Sequence, residues 1–161
     1  MSTLRFENPP ASLPDGISAP FPDAGSIFNE AWLVGEALDV DMQPVADIFK
    51  AIEQSRITLA THYPDPARHS STLEAAEVKT FSDVYAQVLA ALAAATDDDG
   101  RPRGEAGAQL AASEHVATDD DGRLYMRGQG LRMWELQERL TALVRLLAFA
   151  ASQSADLELV D

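Results

Sequence analysis

The feature that most constrains the fold is an apolar segment near the C-terminus, residues 131–152. Apolar residues recur there at steps of three, four, three, four and three, namely at Met133, Leu136, Leu140, Leu143, Leu147 and Ala150. Such steps place all six side chains along one face of an α-helix, as at the a and d positions of a heptad repeat. The second half of the segment is apolar on most of its circumference. A helix of this kind must be buried, either centrally in a core or against another chain.

The same periodicity predicts three further helices upstream. The first follows Ser26, which can cap its N-terminus, and the second follows Pro44, a residue suited to a first helical turn. The third has the clearest amphipathic pattern, with apolar residues at helical spacing between Phe81 and Leu92. Its capping signals allow it to begin as early as Thr72.

The N-terminal residues have the composition of an extended segment. Residues 8–25 hold five of the nine prolines, which exclude a helix and a central strand. We therefore predict an acidic, Pro-rich arm over residues 1–25, either a disordered tail or an arm that docks through Leu13, Ile17 and Phe21. Residues 26–161 are predicted to form a single helical domain that stays folded when residues 1–24 are removed.

A Gly- and Asp-rich loop region is predicted over residues 97–130, which hold six of the nine glycines. The heptapeptide ATDDDGR occurs in it twice, at Ala95–Arg101 and Ala117–Arg123, and Asp-Gly is a turn signal. Apolar residues on both sides of the second copy are compatible with a short hairpin. The predicted fold class is thus all-α or α-dominant. It is a small bundle of four to five helices with a Pro-rich N-terminal arm and room for one short β-hairpin.

Composition limits the partners. The net charge of −14 opposes direct binding to nucleic-acid phosphates and to anionic membranes, and it favours basic partners. The most apolar stretch, residues 143–151, is interrupted by Arg145 and is too short to span a bilayer. With no signal-peptide pattern and no cysteine, a cytoplasmic location is expected. Ten arginines against two lysines, with abundant alanine, indicate a GC-rich bacterial or phage genome.

The sequence offers weak candidates for a metal site. The DDDG runs suggest calcium, but an EF-hand loop needs an acidic residue at position 1 and Glu at position 12. With Gly100 or Gly122 at position 6, both of those positions are Ala or Gly. His62, Asp65 and His69 lie in one Pro-rich stretch and have ligand chemistry, but not the spacing of a known zinc motif. We predict no metal and no cofactor.

Catalytic signatures are also absent from the sequence. There is no cysteine nucleophile and no GxSxG pattern. The one anion-binding candidate is a helix start, where Gly128 and Gly130 stand between Arg127 and Arg132. Free backbone N–H groups and two guanidinium groups would suit a phosphate or carboxylate. The alternative is a flexible linker.

The function predicted by elimination is non-enzymatic protein binding, as in an adaptor, a secretion chaperone, an immunity or inhibitor protein, or a phage accessory protein. The last helix is either the central core helix or an oligomer seam, including that of a homodimer. Trp134 lies beside the seam and has the character of an exposed interface anchor. The predicted partner-interface residues are Phe21, Trp134, Leu136, Leu140, Leu143 and Leu147. Two alternatives stay open: an acidic nucleic-acid mimic that blocks a DNA-binding protein, and a small anion-binding protein using residues 128–132.

Overall fold

The computed structural model describes residues 2–62 and 70–160, and for residues 55–62 and 70 it describes the backbone alone. Within these residues the chain forms five helices and two antiparallel sheets. The helices are α1 Ala24–Ala37, α2 Gln43–His62, α3 Ala75–Ala95, α4 Gly104–Ala111 and α5 Met133–Ser152. The strands are β1 Thr3–Phe6, β2 Ser70–Leu73, β3 Val116–Thr118, β4 Leu124–Met126 and β5 Leu157–Val160. The fold is mixed α/β, so the predicted all-α or α-dominant bundle is wrong.

The larger sheet has three strands in the order β1-β5-β2, and both outer strands run antiparallel to β5. The last strand of the chain is therefore the central one. Its side chains alternate, since Leu157 and Leu159 are buried while Glu158 between them is partly exposed. Leu4 of β1 lies opposite Leu159, and Leu73 of β2 lies opposite Leu157. These leucines cover one apolar face of the sheet.

The predicted arm contributes to this sheet rather than standing apart from it. The backbone N–H of Leu4 donates to the Phe21 carbonyl at 3.0 Å, and the N–H of Phe21 donates to the Leu4 carbonyl at 2.7 Å. Leu4, Phe6 and Phe21 are all buried. The prolines stand mostly in the exposed connection between these buried residues. We therefore expect, contrary to the sequence-based prediction, that removing this segment destabilises the fold.

Hydrogen bonds define the start of α3, and a left-handed residue follows the end of α5. The backbone N–H of Ala75, at the start of α3, donates to the Asp156 carboxylate at 2.9 Å. The N–H of Glu74 donates to the Glu77 carboxylate at 3.0 Å. The helix thus begins after β2, and not at Thr72. At the end of α5, Ser154 takes a positive φ of 48°, which turns the chain back toward β5.

The contacts divide the chain into two compact units. Unit 1 comprises Met1–Ser26, Gln43–Asp83 and Ala142–Asp161. It contains the three-stranded sheet, and its aromatic contacts are Phe6 with Phe149, at 6.2 Å between ring centroids, and Phe49 with Phe81, at 5.1 Å. Aromatic rings at these distances add to the apolar burial that stabilises the unit.

Unit 2 comprises Ile27–Met42 and Val84–Thr141. The ring centroids of Tyr85 and Phe28 lie 5.0 Å apart. The Tyr85 hydroxyl donates to the Phe28 carbonyl at 3.1 Å. Burial raises the pKa of Tyr85 above its ordinary value. The hairpin predicted at the second ATDDDGR copy is present as β3 and β4. The short helix α4 lies where the sequence predicts only loop.

Helix α4 approaches its neighbours closely at Gly107, and this predicts a sensitivity at that position. A Cβ atom there would lie 2.6 Å from the Ala95 carbonyl oxygen and within 2.9 Å of the Pro102 backbone. Because backbone atoms cannot move aside cheaply, we expect Gly107→Ala to lower the free energy of unfolding by about 1–3 kcal/mol. The matched control is Gly128→Ala, where a Cβ atom meets nothing within 4 Å. Urea unfolding gives the free energy of unfolding of both variants. If both changed it by the same amount from the parent, the close packing at Gly107 would be contradicted.

Candidate functional site

The first ATDDDGR copy forms a turn held by one aspartate. The N–H of Asp97 donates to the Arg101 carbonyl at 2.9 Å, and the N–H of Gly100 donates to the Asp97 carbonyl at 3.1 Å. Oδ1 of Asp97 accepts from the N–H groups of Asp99 and Arg101, both at 2.9 Å. Gly100 has a φ of +82°, which glycine adopts without strain. The predicted Asp-Gly turn is confirmed.

The second copy repeats these hydrogen bonds position by position. The N–H of Asp119 donates to the Arg123 carbonyl at 2.9 Å, and the N–H of Gly122 donates to the Asp119 carbonyl at 3.0 Å. Oδ1 of Asp119 accepts from the N–H groups of Asp121 and Arg123, both at 2.9 Å. The identical sequence therefore encodes an identical local structure, in which the first aspartate is the structural one.

The two turns are bonded to each other. The N–H of Leu124 donates to the Gly100 carbonyl at 2.9 Å, and Nε of Arg101 donates to the Asp121 carbonyl at 3.0 Å. We call this pair the twin turns, residues 97–101 and 119–123. Their exposed carboxylates belong to Asp98, Asp99, Asp120 and Asp121. The twin turns therefore bring into one place negative charges that are some twenty positions apart in the sequence.

The hydrogen bonds of the twin turns stabilise charged carboxylates. The N–H of Arg101 holds the pKa of Asp97 below its ordinary value, and the N–H of Arg123 and the guanidinium of Arg132 do the same for Asp119. Both carboxyl groups are therefore anionic at neutral pH.

Trp134 lies next to the first turn. It is the exposed large apolar side chain of the described residues, with 47% of its surface accessible. A Cβ atom on Gly100 would lie 3.7 Å from its Cδ1 atom. Beside it is an open groove of about 490 Å³, which we call the Trp134 groove. It is lined by Ala93, Thr96, Asp97, Asp98, Arg103, Trp134, Gln137, Glu138 and Thr141.

The charges of this groove are mostly negative. It contains three carboxylates, those of Asp97, Asp98 and Glu138, against the single guanidinium of Arg103. Within the described part of the chain, none of the three carboxylates has an ion-pair partner. An exposed indole among unpaired carboxylates suits a cationic group, because the face of the ring and the carboxylates both attract positive charge.

The other residues predicted at an interface lie inside the protein. Leu136, Leu140, Leu143 and Leu147 are fully buried in the chain itself, and Phe21 is 6% exposed. Of the two roles that the sequence left open for the last helix, these leucines take the core one. Of the six residues predicted at a partner interface, Trp134 is the one whose side chain is exposed.

The predicted anion site is occupied by contacts within the chain. Nε of Arg127 donates to the Val116 carbonyl at 3.2 Å, and the guanidinium of Arg132 pairs with the Asp119 carboxylate. The N–H of Gly130 donates to the Met126 carbonyl at 2.8 Å. Gly128 lies in open space next to this turn. The geometry gives the anion-binding prediction no support.

The metal candidates gain no support either. Among the described residues, no group of three or more His, Asp or Glu side chains is placed to hold a metal ion. The side chains of His62, Asp65 and His69 lie outside the described ones. In the twin turns, Asp97 and Asp119 already accept backbone hydrogen bonds through one oxygen each.

A buried carboxyl group elsewhere in unit 2 gives a testable pH dependence. Glu30 is 5% exposed, and burial raises its pKa, an effect that the nearby His115 partly opposes. In the unfolded chain the Glu30 carboxyl group loses its proton near pH 4.3, as an ordinary glutamate does. In the folded chain it keeps that proton to higher pH. The stability that Glu30 contributes is therefore lost as the pH rises from about 4.3 through the folded-state pKa.

We accordingly expect Glu30→Gln to unfold at a higher urea concentration than the parent at pH 7, with the difference shrinking toward pH 4. The control is Glu53→Gln, which removes the same charge from an exposed position of α2. Urea unfolding across this pH range is the measurement. An equal gain in both variants would indicate a general effect of the net charge and not of burial.

Sequence reasoning identified Trp134 and the aspartate turns separately but missed Arg103, Gln137 and Glu138 as their neighbours. These three belong to stretches some thirty-five residues apart, the segment before α4 and the first half of α5. The repeated heptapeptide was the signal that could have drawn the first stretch into the site.

No described helix combines the length and the apolar character that a membrane crossing requires. Comparisons with protein-family models, with curated proteins and with solved structures find no match to this chain.

Proposed function

We propose that the protein is a non-enzymatic interaction module that binds a basic segment of another protein through the Trp134 groove and the twin turns. The observation that supports this most directly is the exposure of Trp134 beside unpaired carboxylates. Tryptophan is enriched among the residues that carry the binding energy of interfaces.

The charge of the chain is consistent with such a partner. The net charge of −14 attracts basic proteins over a distance and speeds their association at low ionic strength. It also disfavours nucleic acid as a direct ligand. An adaptor, a secretion chaperone, an immunity or inhibitor protein, or a phage accessory protein acting in the cytoplasm would fit this description. A homodimer, if formed, would use surface outside the buried leucines of α5.

The proposal is tested with a fluorescent peptide in which lysine and arginine alternate with glycine. The key variant is Asp98→Asn with Asp120→Asn, which removes the second aspartate of each turn and leaves the structural Asp97 and Asp119 in place. The control is Glu7→Gln with Glu53→Gln, which changes the net charge equally at exposed positions. We expect the first pair, and not the second, to weaken binding by about tenfold, since charge-assisted contacts to carboxylates are lost.

Equal weakening by both pairs would mean that binding follows net charge alone, and the proposed site would be wrong. Trp134→Ala completes the set, because an interface anchored on the indole also loses affinity when only the ring is removed.

A second candidate is an acidic mimic of nucleic acid that occupies a DNA-binding protein. The four exposed aspartates of the twin turns favour it, because carboxylates placed together can imitate a phosphate row. This function would depend on Asp98 and Asp120 but not on Trp134. Competition between the protein and duplex DNA for a DNA-binding protein from the same source would distinguish the two.

A further inference from the structure

We propose that the Trp134 groove is a receptor for one arginine side chain of the partner, stacked on the indole of Trp134 and paired with the Asp97 carboxylate. This inference rests on the proposed function and deepens it, because it names the group recognised. It follows from comparing the two copies of the repeat, which differ in what their structural aspartates contact.

The second copy already holds an arginine in this way. The guanidinium of Arg132 pairs with Oδ2 of Asp119, and its central carbon lies 6.0 Å from the centre of the Tyr125 ring. Oδ1 of the same aspartate is taken by the N–H groups of the turn. The turn thus fixes the aspartate through one oxygen and offers the other to a guanidinium beside an aromatic ring.

The first copy has the same aspartate and an aromatic ring, and although the charges of Arg101 and Arg103 act on Asp97, neither guanidinium forms an ion pair with it. Oδ1 of Asp97 is taken by the turn in the same way, while its Oδ2 accepts no hydrogen bond from the described residues. Trp134 supplies the ring, and it is exposed, whereas the second copy's site is filled from within the chain. The groove of about 490 Å³ beside Trp134 and Asp97 is large enough to admit a side chain.

Guanidinium suits this site better than ammonium. It is planar, so it stacks on an indole, and it donates in a fork that matches a carboxylate, whereas lysine is a compact and strongly hydrated charge. Asp98 and Glu138 on the groove wall provide further acceptors. The chain's own Arg103 also lies on this wall, where its charge helps to lower the pKa of Asp97 without forming an ion pair with it. Its positive charge therefore opposes the incoming arginine.

The experiment uses three blocked pentapeptides of glycine with arginine, lysine or citrulline in the centre. Citrulline has the size and shape of arginine without the charge. Each peptide is titrated into the full-length protein while the indole N–H resonances of Trp134 and Trp32 are followed by NMR. Trp134→Phe assigns the resonances, and Trp32, whose Nε1 donates to Glu36 at 2.8 Å, serves as the internal control.

We expect the arginine peptide to shift the Trp134 resonance in a saturable way, with Trp32 unchanged. Lysine should bind more weakly, and citrulline about tenfold more weakly than arginine or below detection. Arg103→Gln should tighten arginine binding, because a like charge leaves the wall. The inference would be overturned if the arginine and citrulline peptides shifted the Trp134 resonance equally, or if neither shifted it.

The failure of this inference can be told apart from failure of the proposed function. If Trp134→Ala binds the longer basic peptide as well as the parent while the Asp98 and Asp120 double variant does not, the arginine receptor is wrong and the acidic interaction surface stands. If neither variant alters binding, both are wrong.

Discussion

Removal of residues 1–22 is expected to leave the protein largely unfolded. The truncation takes away β1 and with it the buried side chains of Leu4, Phe6 and Phe21. Burying an apolar side chain of this size contributes about 1.5–3 kcal/mol, so the three together amount to about 5–9 kcal/mol. That is comparable to the whole stability of an ordinary domain, about 5–15 kcal/mol. The central strand β5 would also lose one of its two partners.

Circular dichroism and urea unfolding of the truncated chain provide the measurement. A pair of point variants separates burial from chain length: Leu4→Ala, at a fully buried position, and Leu13→Ala, in the partly exposed Pro-rich connection. We expect Leu4→Ala to cost about 2–5 kcal/mol and Leu13→Ala under about 1 kcal/mol. A truncated protein with the parent's stability would refute the role of β1 in the sheet.

Replacing Leu140 with alanine is expected to lower the free energy of unfolding by about 2–5 kcal/mol, and Leu143→Ala by a similar amount. Both side chains are fully buried in α5, so truncation removes apolar contacts and leaves a cavity. The control on the same helix is Trp134→Ala. It deletes a larger side chain, but from an exposed position, and we expect a cost of under about 1 kcal/mol.

Urea unfolding at two protein concentrations completes this test. Because the leucines are buried within one chain, the unfolding midpoint should not depend on concentration. A midpoint that rises with concentration would instead assign them to an oligomer seam. Leucine variants within about 0.5 kcal/mol of the parent would mean that this face of α5 is open to solvent.

Four of the five described helices and the Asp-Gly turns follow from local sequence, whereas the short helix α4 does not. The apolar spacing in residues 131–152 predicts α5, which the structure places at Met133–Ser152. The Asp-Gly turns and the hairpin at the second copy are likewise where the sequence puts them. Helical periodicity and turn chemistry depend on residues only a few positions apart, so a single sequence contains the information needed to recognise them.

The three-stranded sheet was not predictable in this way. Each of its strands has four residues, too few for an alternating pattern to stand out, and they come from both ends and the middle of the chain. The LELV of β5 is stabilised by partners about 85 and 155 positions away. Strand pairing of this range depends on tertiary contacts and not on local propensity.

In the candidate site, too, local features follow from the sequence and their arrangement in space follows from tertiary contacts. The sequence alone determined the two Asp-Gly turns and favoured Trp134 as an exposed aromatic residue, because both judgements use neighbouring residues. Only the tertiary structure decided that Trp134 lies next to the first turn, and that Arg132 pairs with Asp119 while Asp97 forms no ion pair within the described part of the chain. It also decided that the leucine face of α5 is buried within the chain. Helical periodicity requires an apolar face to be covered, but it does not contain the identity of the surface that covers it.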